Sequence, residues 1–415
     1  MASQRLRRAG IRLARGLGMA WLMLGVALGL LLLLECLLRV GLMVKDALVV
    51  LPDPDPRVVA EGYDGASWVP LLFREQAAVQ STWHPYVTHR ARPFTGQLIR
   101  VEGDGLRRTV PAAGTPDGAP VVWLAGGSVA WGMGARDQAT IASRMAARLA
   151  SRGRPARVIN RAQIGYVQTQ ELADILLALR AGERPDAIVL LDGVNEVLSA
   201  YQNGTAGWPQ NEANRIAEFN LRDDPARLVP ALLRAAARHS ALGRLARSLR
   251  LRLAGGLSVG PAYSAPWSPE RAEQVAAICA ANLQMMADLA DRIGCSVIVA
   301  WQPLLFSKRT MTDYEHAKAV EYAWLREPLD QSYEQLRRLS SPSQRLRILD
   351  LSRLLDDVPS LVFTDFCHLT ERGQDQIAAA LTDALAAQWP EIEDHSAQAS
   401  ARRPIRGDRS QPAEE

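Results

Sequence analysis

Histidine and cysteine are scarce in this chain, with six and four residues among 415. Neither recurs at the spacings of a zinc module, so no metal centre is expected. No Gly-Lys-Ser or Gly-Lys-Thr step occurs, which excludes a phosphate-cradling P-loop. Gly132-Met133-Gly134-Ala135-Arg136-Asp137 lacks the last glycine of the dinucleotide fingerprint, and no cofactor is expected. Gly126-Gly127-Ser128-Val129-Ala130 lacks the second glycine of the nucleophile elbow of α/β-hydrolases. Internal repeats are absent. Excess charge is also missing from most of the chain. Arg5, Arg7, Arg8, Arg12 and Arg15 crowd the first sixteen residues, and the formal net charge is only +4. The remaining body is near neutral and has no electrostatic footprint for nucleic acid.

From Gly16 to Leu34 no charged residue interrupts a Leu-rich run. At about 1.5 Å per residue it is about 28 Å long, enough to cross a bilayer core. A buried core helix rarely carries such a run, and no small-x-small cleavage site follows it. Cys36 follows Leu34-Glu35, without the small residue that lipid attachment requires. Residues 17–43 are therefore expected to be an uncleaved transmembrane signal anchor behind a basic cytoplasmic tail, 1–16. Arginines before the span place the N-terminus inside. The expected location is the inner (cytoplasmic) membrane, single-pass, with the body on the periplasmic or extracellular side.

Residues 44–118 read as a linker and small β-containing lead-in. Asp53-Pro54-Asp55-Pro56 is extended, Gln97–Val101 a short strand, and Gly103-Asp104-Gly105 a turn. From 119 to 390 strands and helices alternate. Strands are expected at Val121–Ala125, Arg157–Asn160, Asp186–Asp192, Cys295–Trp301 and Leu346–Leu351. Helices are expected at Ala139–Ser151, Val167–Ala181, Arg271–Ile293, Thr312–Leu339 and Thr370–Gln388. Such alternation implies right-handed crossovers and a five-stranded parallel sheet in a three-layer α/β/α sandwich, flavodoxin-like in order. A helical insertion covers about 197–269. In it Leu242, Leu245, Leu249 and Leu253 share one helix face, and Arg244, Arg247 and Arg250 the other. That pattern fits a lipid-facing amphipathic helix or, preferred here, a cap on the sheet with a solvated arginine face. The tail, 391–415, is polar and aperiodic, and disorder is expected. Cys279 lies about 20 Å of helix from the strand that Cys295 begins, too far for a disulfide. Buried free thiols are the expectation.

Four polar points fall at the carboxyl ends of the expected strands, where open α/β sheets bind ligands. Gly126-Gly127-Ser128 follows the first strand and Asn160 with Gly165 the second. Gly193-Val194-Asn195-Glu196 follows the third and Asp365-Phe366-Cys367-His368 the last. A serine hydroxyl needs a base before it attacks, histidine is the usual base, and a carboxylate fixes its tautomer. Asp365 and His368 are three apart, so a local hydrogen bond is feasible. An oxyanion needs preorganised donors, and the Ser128 and Gly165 backbone N–H groups with the Asn195 amide can supply three. His84, His89, His239, His316 and His395 lie away from this edge. Trp131, Tyr166, Trp301 and Gln302 fall near it and are candidate substrate contacts.

These blocks resemble the SGNH (GDSL-like) hydrolase superfamily over about 119–390. Ser128, Gly165, Asn195 and the Asp365–His368 pair match its successive blocks. The strings Phe363–Thr370 and Asp192–Glu196 are similar to a membrane-anchored bacterial branch associated with surface polysaccharide. Gly127 and Glu196 depart from it, each standing where the family often has aspartate. The resemblance implies a serine ester hydrolase acting through an acyl-enzyme, with an acylated extracellular glycan as substrate. O-acetyl transfer to a surface polysaccharide shares that intermediate and stays open, as does a non-catalytic envelope scaffold.

Overall fold

The computed structural model describes residues 2–48, 56–59, 61–63, 65–221, 240–253 and 267–390, with single positions among 224–237 and 392. The expectations for Asp53-Pro54-Asp55-Pro56, for the tail 391–415 and for the side chains of Arg247 and Arg250 lie largely outside them. The chain divides into two compact units, one from Met1–Asp53 with Asn214–Gly260, the other from Pro54–Ala213 with Pro261–Glu415.

In the first unit a single helix runs from Ala2 to Leu48. Its Arg15–Val44 part is long and apolar enough to cross a membrane, and its apolar window is left unburied by the described residues. Helix Ala241–Leu253 packs against this long helix, where the sequence pointed to a cap on the sheet. The Glu35 carboxylate accepts the Ala241 and Leu242 backbone N–H groups at 2.7 and 3.1 Å, satisfying donors that a helix start leaves open. Leu242, Leu245 and Leu249 are exposed along one face, consistent with the expected amphipathic pattern.

The second unit is built on strands whose faces alternate. Ser81–His84 (β1) pairs antiparallel with Thr88–Ala91 (β2), and Phe94–Thr95 (β3) with Arg100–Val101 (β4). Val121–Gly126 (β5), Arg157–Asn160 (β6), Ala187–Asp192 (β7), Ser296–Trp301 (β8) and Leu346–Asp350 (β9) form one parallel sheet in the order β6-β5-β7-β8-β9. This is the flavodoxin-like three-layer α/β/α order, with the switch beside β5. Side chains alternate across a strand. Val122, Leu124, Val189 and Leu191 therefore join one core with helices Ile141–Ser151 and Glu371–Ala387. Trp123, Ile188, Leu190 and Val299 join the other with Gln168–Arg180, Pro269–Ile293 and Arg326–Leu336. Both faces are covered, which is why these strands are almost uninterrupted apolar runs.

The lead-in holds more than the expected β structure. Helix Val69–Ala78 begins with Pro70 in its first turn, and its buried Glu75 carboxylate accepts the N–H groups of Gln97, Leu98 and Ile99 at 2.7–2.9 Å. The strand expected over Gln97–Val101 is reduced to Arg100–Val101, because Glu75 takes the donors that a ladder would use. All four cysteines are unpaired, with Cys279, Cys295 and Cys367 buried.

Candidate active site

β5 ends in Gly126, and the chain turns at once into the short helix Ser128–Trp131. Ser128 is its first residue and is 9% exposed. A side chain at Gly127 would put its Cβ 2.0 Å from Asn195 Nδ2, so glycine here is a condition for the close approach of that amide. The following loop is held by Arg107 from the lead-in. Its fully buried guanidinium donates to the carbonyls of Gly132 and Ala135, both at 2.6 Å, pairs with Asp137 at 3.1 Å, and lies 4.3 Å over the Trp131 ring.

His368 and Asp365 come from the loop before the last helix. His368 Nε2 is 2.7 Å from Ser128 Oγ, and His368 Nδ1 is 2.6 Å from Asp365 Oδ2. Asp365 Oδ1 accepts the Cys367 and His368 backbone N–H groups at 2.9 and 2.8 Å. Burial pushes the Asp365 carboxyl upward. The adjoining imidazole, its hydrogen bond and the two backbone donors outweigh burial and hold the group well below the usual carboxylate range. Behind the loop, the buried Lys308–Glu315 pair fixes the incoming chain. Glu315 accepts from Val362 and Phe363 N–H at 3.0 and 3.1 Å, and Lys308 donates to the Ser360 carbonyl at 2.9 Å.

The expected oxyanion donors converge on the same edge. Gly165 has φ +80°, the left-handed region that favours glycine. Asn195 sits in the first turn of helix Val194–Asn203, and one of its Nδ2 hydrogens donates to the Tyr166 carbonyl at 2.7 Å. Glu196 folds back to accept the Gly193 N–H at 2.8 Å, so it serves the backbone of this turn.

The aromatic expectations need correction. Trp131, Tyr166 and Trp301 are 0–1% exposed, and Gln302 is 4% exposed. The Trp131 face is covered by Arg107, and the Tyr166 ring packs edge-on against His89 with its hydroxyl donating to the His89 carbonyl. Their rings are packing, with no open face for a sugar. The residues sit near the strand ends, but the strong apolar drive of aromatic rings sends Trp131 and Trp301 into the two cores and buries Tyr166 against His89.

A second acidic group lies buried just below the site. Asp192, the last residue of β7, feels the charges of the buried Glu171 and Glu196, and Gln168 Nε2 donates to Asp192 at 3.0 Å. Burial, then the Glu196 charge, raises the Asp192 pKa to about 8. Burial, then the Asp192 and Glu196 charges, raises Glu171 well above its usual range. Burial raises Glu196 as well.

Asp365, Cys367 and His368 offer atoms within 4.8 Å of one another, close enough in principle for a metal. The chemistry of the set does not suit one. His368 Nδ1 and the Asp365 carboxylate are committed to each other and to backbone donors. Burial, then the Asp365 charge, pushes the Cys367 thiol up, whereas a metal needs thiolate. Two contributors left no trace in the sequence pattern. Arg107 lies in the aperiodic lead-in. Gln210, whose Nε2 donates to Asn195 Oδ1 at 3.2 Å, lies in the insertion, where only Pro209 and Asn211 mark a turn.

The second unit is thus a doubly wound α/β domain with a serine–histidine–aspartate relay at the carboxyl edge of its sheet. No protein-family model and no curated protein matches the chain. It is similar to solved structures of a lipase from a goat rumen metagenome (12% identity, 64% of this chain and 97% of that one, TM-score 0.38). It is similar also to a lipolytic protein of the G-D-S-L family from Veillonella parvula (12%, 63% and 95%, TM-score 0.36). A third is an acetylxylan esterase from Geobacillus stearothermophilus (12%, 69% and 96%, TM-score 0.31).

Proposed function

We propose that this chain is a serine ester hydrolase of the SGNH kind, with Ser128 as nucleophile, His368 as base and Asp365 as the group that orients and charges it. The observation that carries the reading is the relay of Ser128 Oγ–His368 Nε2 at 2.7 Å, between residues 240 apart in sequence, and His368 Nδ1–Asp365 Oδ2 at 2.6 Å. His368 takes the Ser128 proton as Oγ bonds to the ester carbonyl carbon. The carbonyl oxygen becomes an oxyanion facing the Ser128 and Gly165 N–H groups and the second Asn195 Nδ2 hydrogen. Collapse breaks the bond to the alcohol oxygen, which leaves with the proton from His368. Water, deprotonated by the same imidazole, then releases the acid and restores Ser128.

The apolar helix Arg15–Val44 supports anchoring in the cytoplasmic membrane, with the catalytic unit outside. An acylated extracellular glycan, O-acetylated above all, is the proposed substrate class. An organophosphonate probe should label Ser128 in the intact protein, and labelling should vanish in Ser128→Ala and fall sharply in His368→Ala. Adducts on another serine, with Ser128→Ala fully active on an aryl acetate, would overturn the assignment. A periplasm-dependent reporter fused after Gln388 should be active. Activity of only a cytoplasm-dependent reporter would reverse the topology.

A further inference from the structure

We infer that Gln210 is a positioning residue for the oxyanion hole, acting through Asn195; the inference rests on the hydrolase reading above. A side-chain amide is a useful donor only when its plane is fixed and one N–H is left over. At Asn195 both conditions are met by two different neighbours. Tyr166 offers a carbonyl, which one Nδ2 hydrogen must face. Gln210 offers an N–H, which Oδ1 must face. The Tyr166 carbonyl accepts only the Nδ2 end, which excludes the flipped form, and the Gln210 N–H then holds the Oδ1 end in place. The remaining Nδ2 hydrogen is left beside Gly127, where no side chain stands in its way. The other end of the Gln210 amide closes over Gly165, with Oε1 3.1 Å from the point a Cβ there would occupy. One side chain therefore spans two of the three proposed donors.

Gln210 is not a loosely held surface group. The loop that carries it is tied to the far end of the helix that carries Asn195. Asn203 Nδ2 donates to the Pro209 carbonyl at 2.9 Å, and its Oδ1 accepts the Ala213 N–H at 3.0 Å. Gln202 Oε1 accepts the Asn211 N–H at 2.7 Å, and the Ser199 hydroxyl donates to the Trp208 carbonyl. Helix Val194–Asn203 thus presents Asn195 at its start and pins, at its end, the loop that returns to hold Asn195. Preorganisation of this kind is what makes a polar donor effective at a developing charge.

The test is kinetic and uses the full-length, detergent-solubilised protein with an aryl acetate. Gln210→Ala should lower kcat about tenfold with KM within about twofold, less than the ~10²–10³ that losing a donor outright costs. In the Asn195→Ala background the same change should have no further effect, because its route is already gone. Gln210→Glu keeps the shape but sets an acceptor against Asn195 Oδ1. Near pH 8 it should fall below Gln210→Ala, and its activity relative to wild type should rise as pH falls toward about 4–5 and the carboxyl regains a proton to donate. Gln210→Ala should show no such pH-dependent ratio. Wild-type kcat in Gln210→Ala, effects that multiply with Asn195→Ala, or a Gln210→Glu ratio flat with pH would each overturn the inference. Those results, with Ser128 still labelled by an organophosphonate, leave the hydrolase reading intact. Absence of labelling at Ser128 in the wild type would overturn that reading and the inference with it.

Discussion

Two acidic groups stand at the carboxyl edge of the same sheet and meet opposite fates. Asp365 is held ionised, whereas burial and neighbouring carboxyls raise the pKa of Asp192 to about 8 and push those of Glu171 and Glu196 upward as well. Both groups are out of bulk water, so burial acts upward on each. What differs is the company. Asp365 faces an imidazole and two backbone N–H groups, all able to stabilise negative charge. Asp192 faces two other carboxyls and one Gln168 amide. The lesson is that depth alone does not set the charge state here. The partners do, and they keep one aspartate a source of field while favouring the protonated form of the other.

The largest expected effect breaks this contrast on the ionised side. Asp365→Asn should reduce turnover of an aryl acetate by about 10⁴, the scale seen when a triad carboxylate is neutralised. Asp192→Asn should change it by less than tenfold, because a protonated group loses little charge by becoming an amide. Comparable losses in two well-folded variants would erase the distinction. Next in size is Asn195→Ala. It leaves both acidic groups in place and should cost about 10²–10³ in kcat. Circular dichroism matching wild type would assign that loss to the missing donor.

The third expectation is a pH signature with opposite limbs. Asp365 has a folded pKa below its unfolded value, so it contributes stability above about pH 4, and that contribution is lost as pH falls. Asp192 has a folded pKa raised to about 8, so the native state keeps a proton that the unfolded chain releases above about pH 4. Native protein then binds more protons than unfolded, and stability declines as pH rises through this window. Urea midpoints between pH 5 and 9 should fall in the wild type and flatten in Asp192→Asn. A midpoint that rises across that range would reverse the assignment of the buried cluster.

Most of the sheet was legible because its strands are doubly covered and its helices are amphipathic. The expected strand Arg157–Asn160 matches β6, and Asp186–Asp192 differs from β7 by one residue. The four strand-end blocks were legible too, since topology brings such ends together whatever the detailed packing. Three things were not. Trp131, Tyr166 and Trp301 stand at the right edge, but period-two reading does not say which rings turn inward. Helix Val69–Ala78 is short, and the β3–β4 hairpin depends on Glu75, a single buried carboxylate with no local signature. The Gln210 contact depends on a loop closed by Ser199, Gln202 and Asn203, an arrangement of side-chain-to-backbone bonds that hydrophobic pattern does not encode.

The smallest expected effect sharpens the protonated side. Glu171 is buried, and burial with the Asp192 and Glu196 charges raises its pKa well above the usual range. A protonated Glu171 carboxyl is able to donate toward Asp192. Glutamine has the same length and an NH₂ that donates in the same direction, so Glu171→Gln should keep the contact and remove only a proton that can be lost. Turnover should stay within about twofold of wild type, since the cluster touches Gly193 and Asn195 only through the backbone turn. Relative to wild type the variant should gain stability steadily as pH rises above about 4–5, because unfolded Glu171 then ionises while the buried carboxyl keeps its proton, and glutamine removes that difference. By pH 8 the gain should be a few degrees in Tm. A variant less stable than wild type at pH 9 would mean that Glu171 is ionised in the native state, and that a cation or a solvent path, rather than a proton, neutralises the cluster.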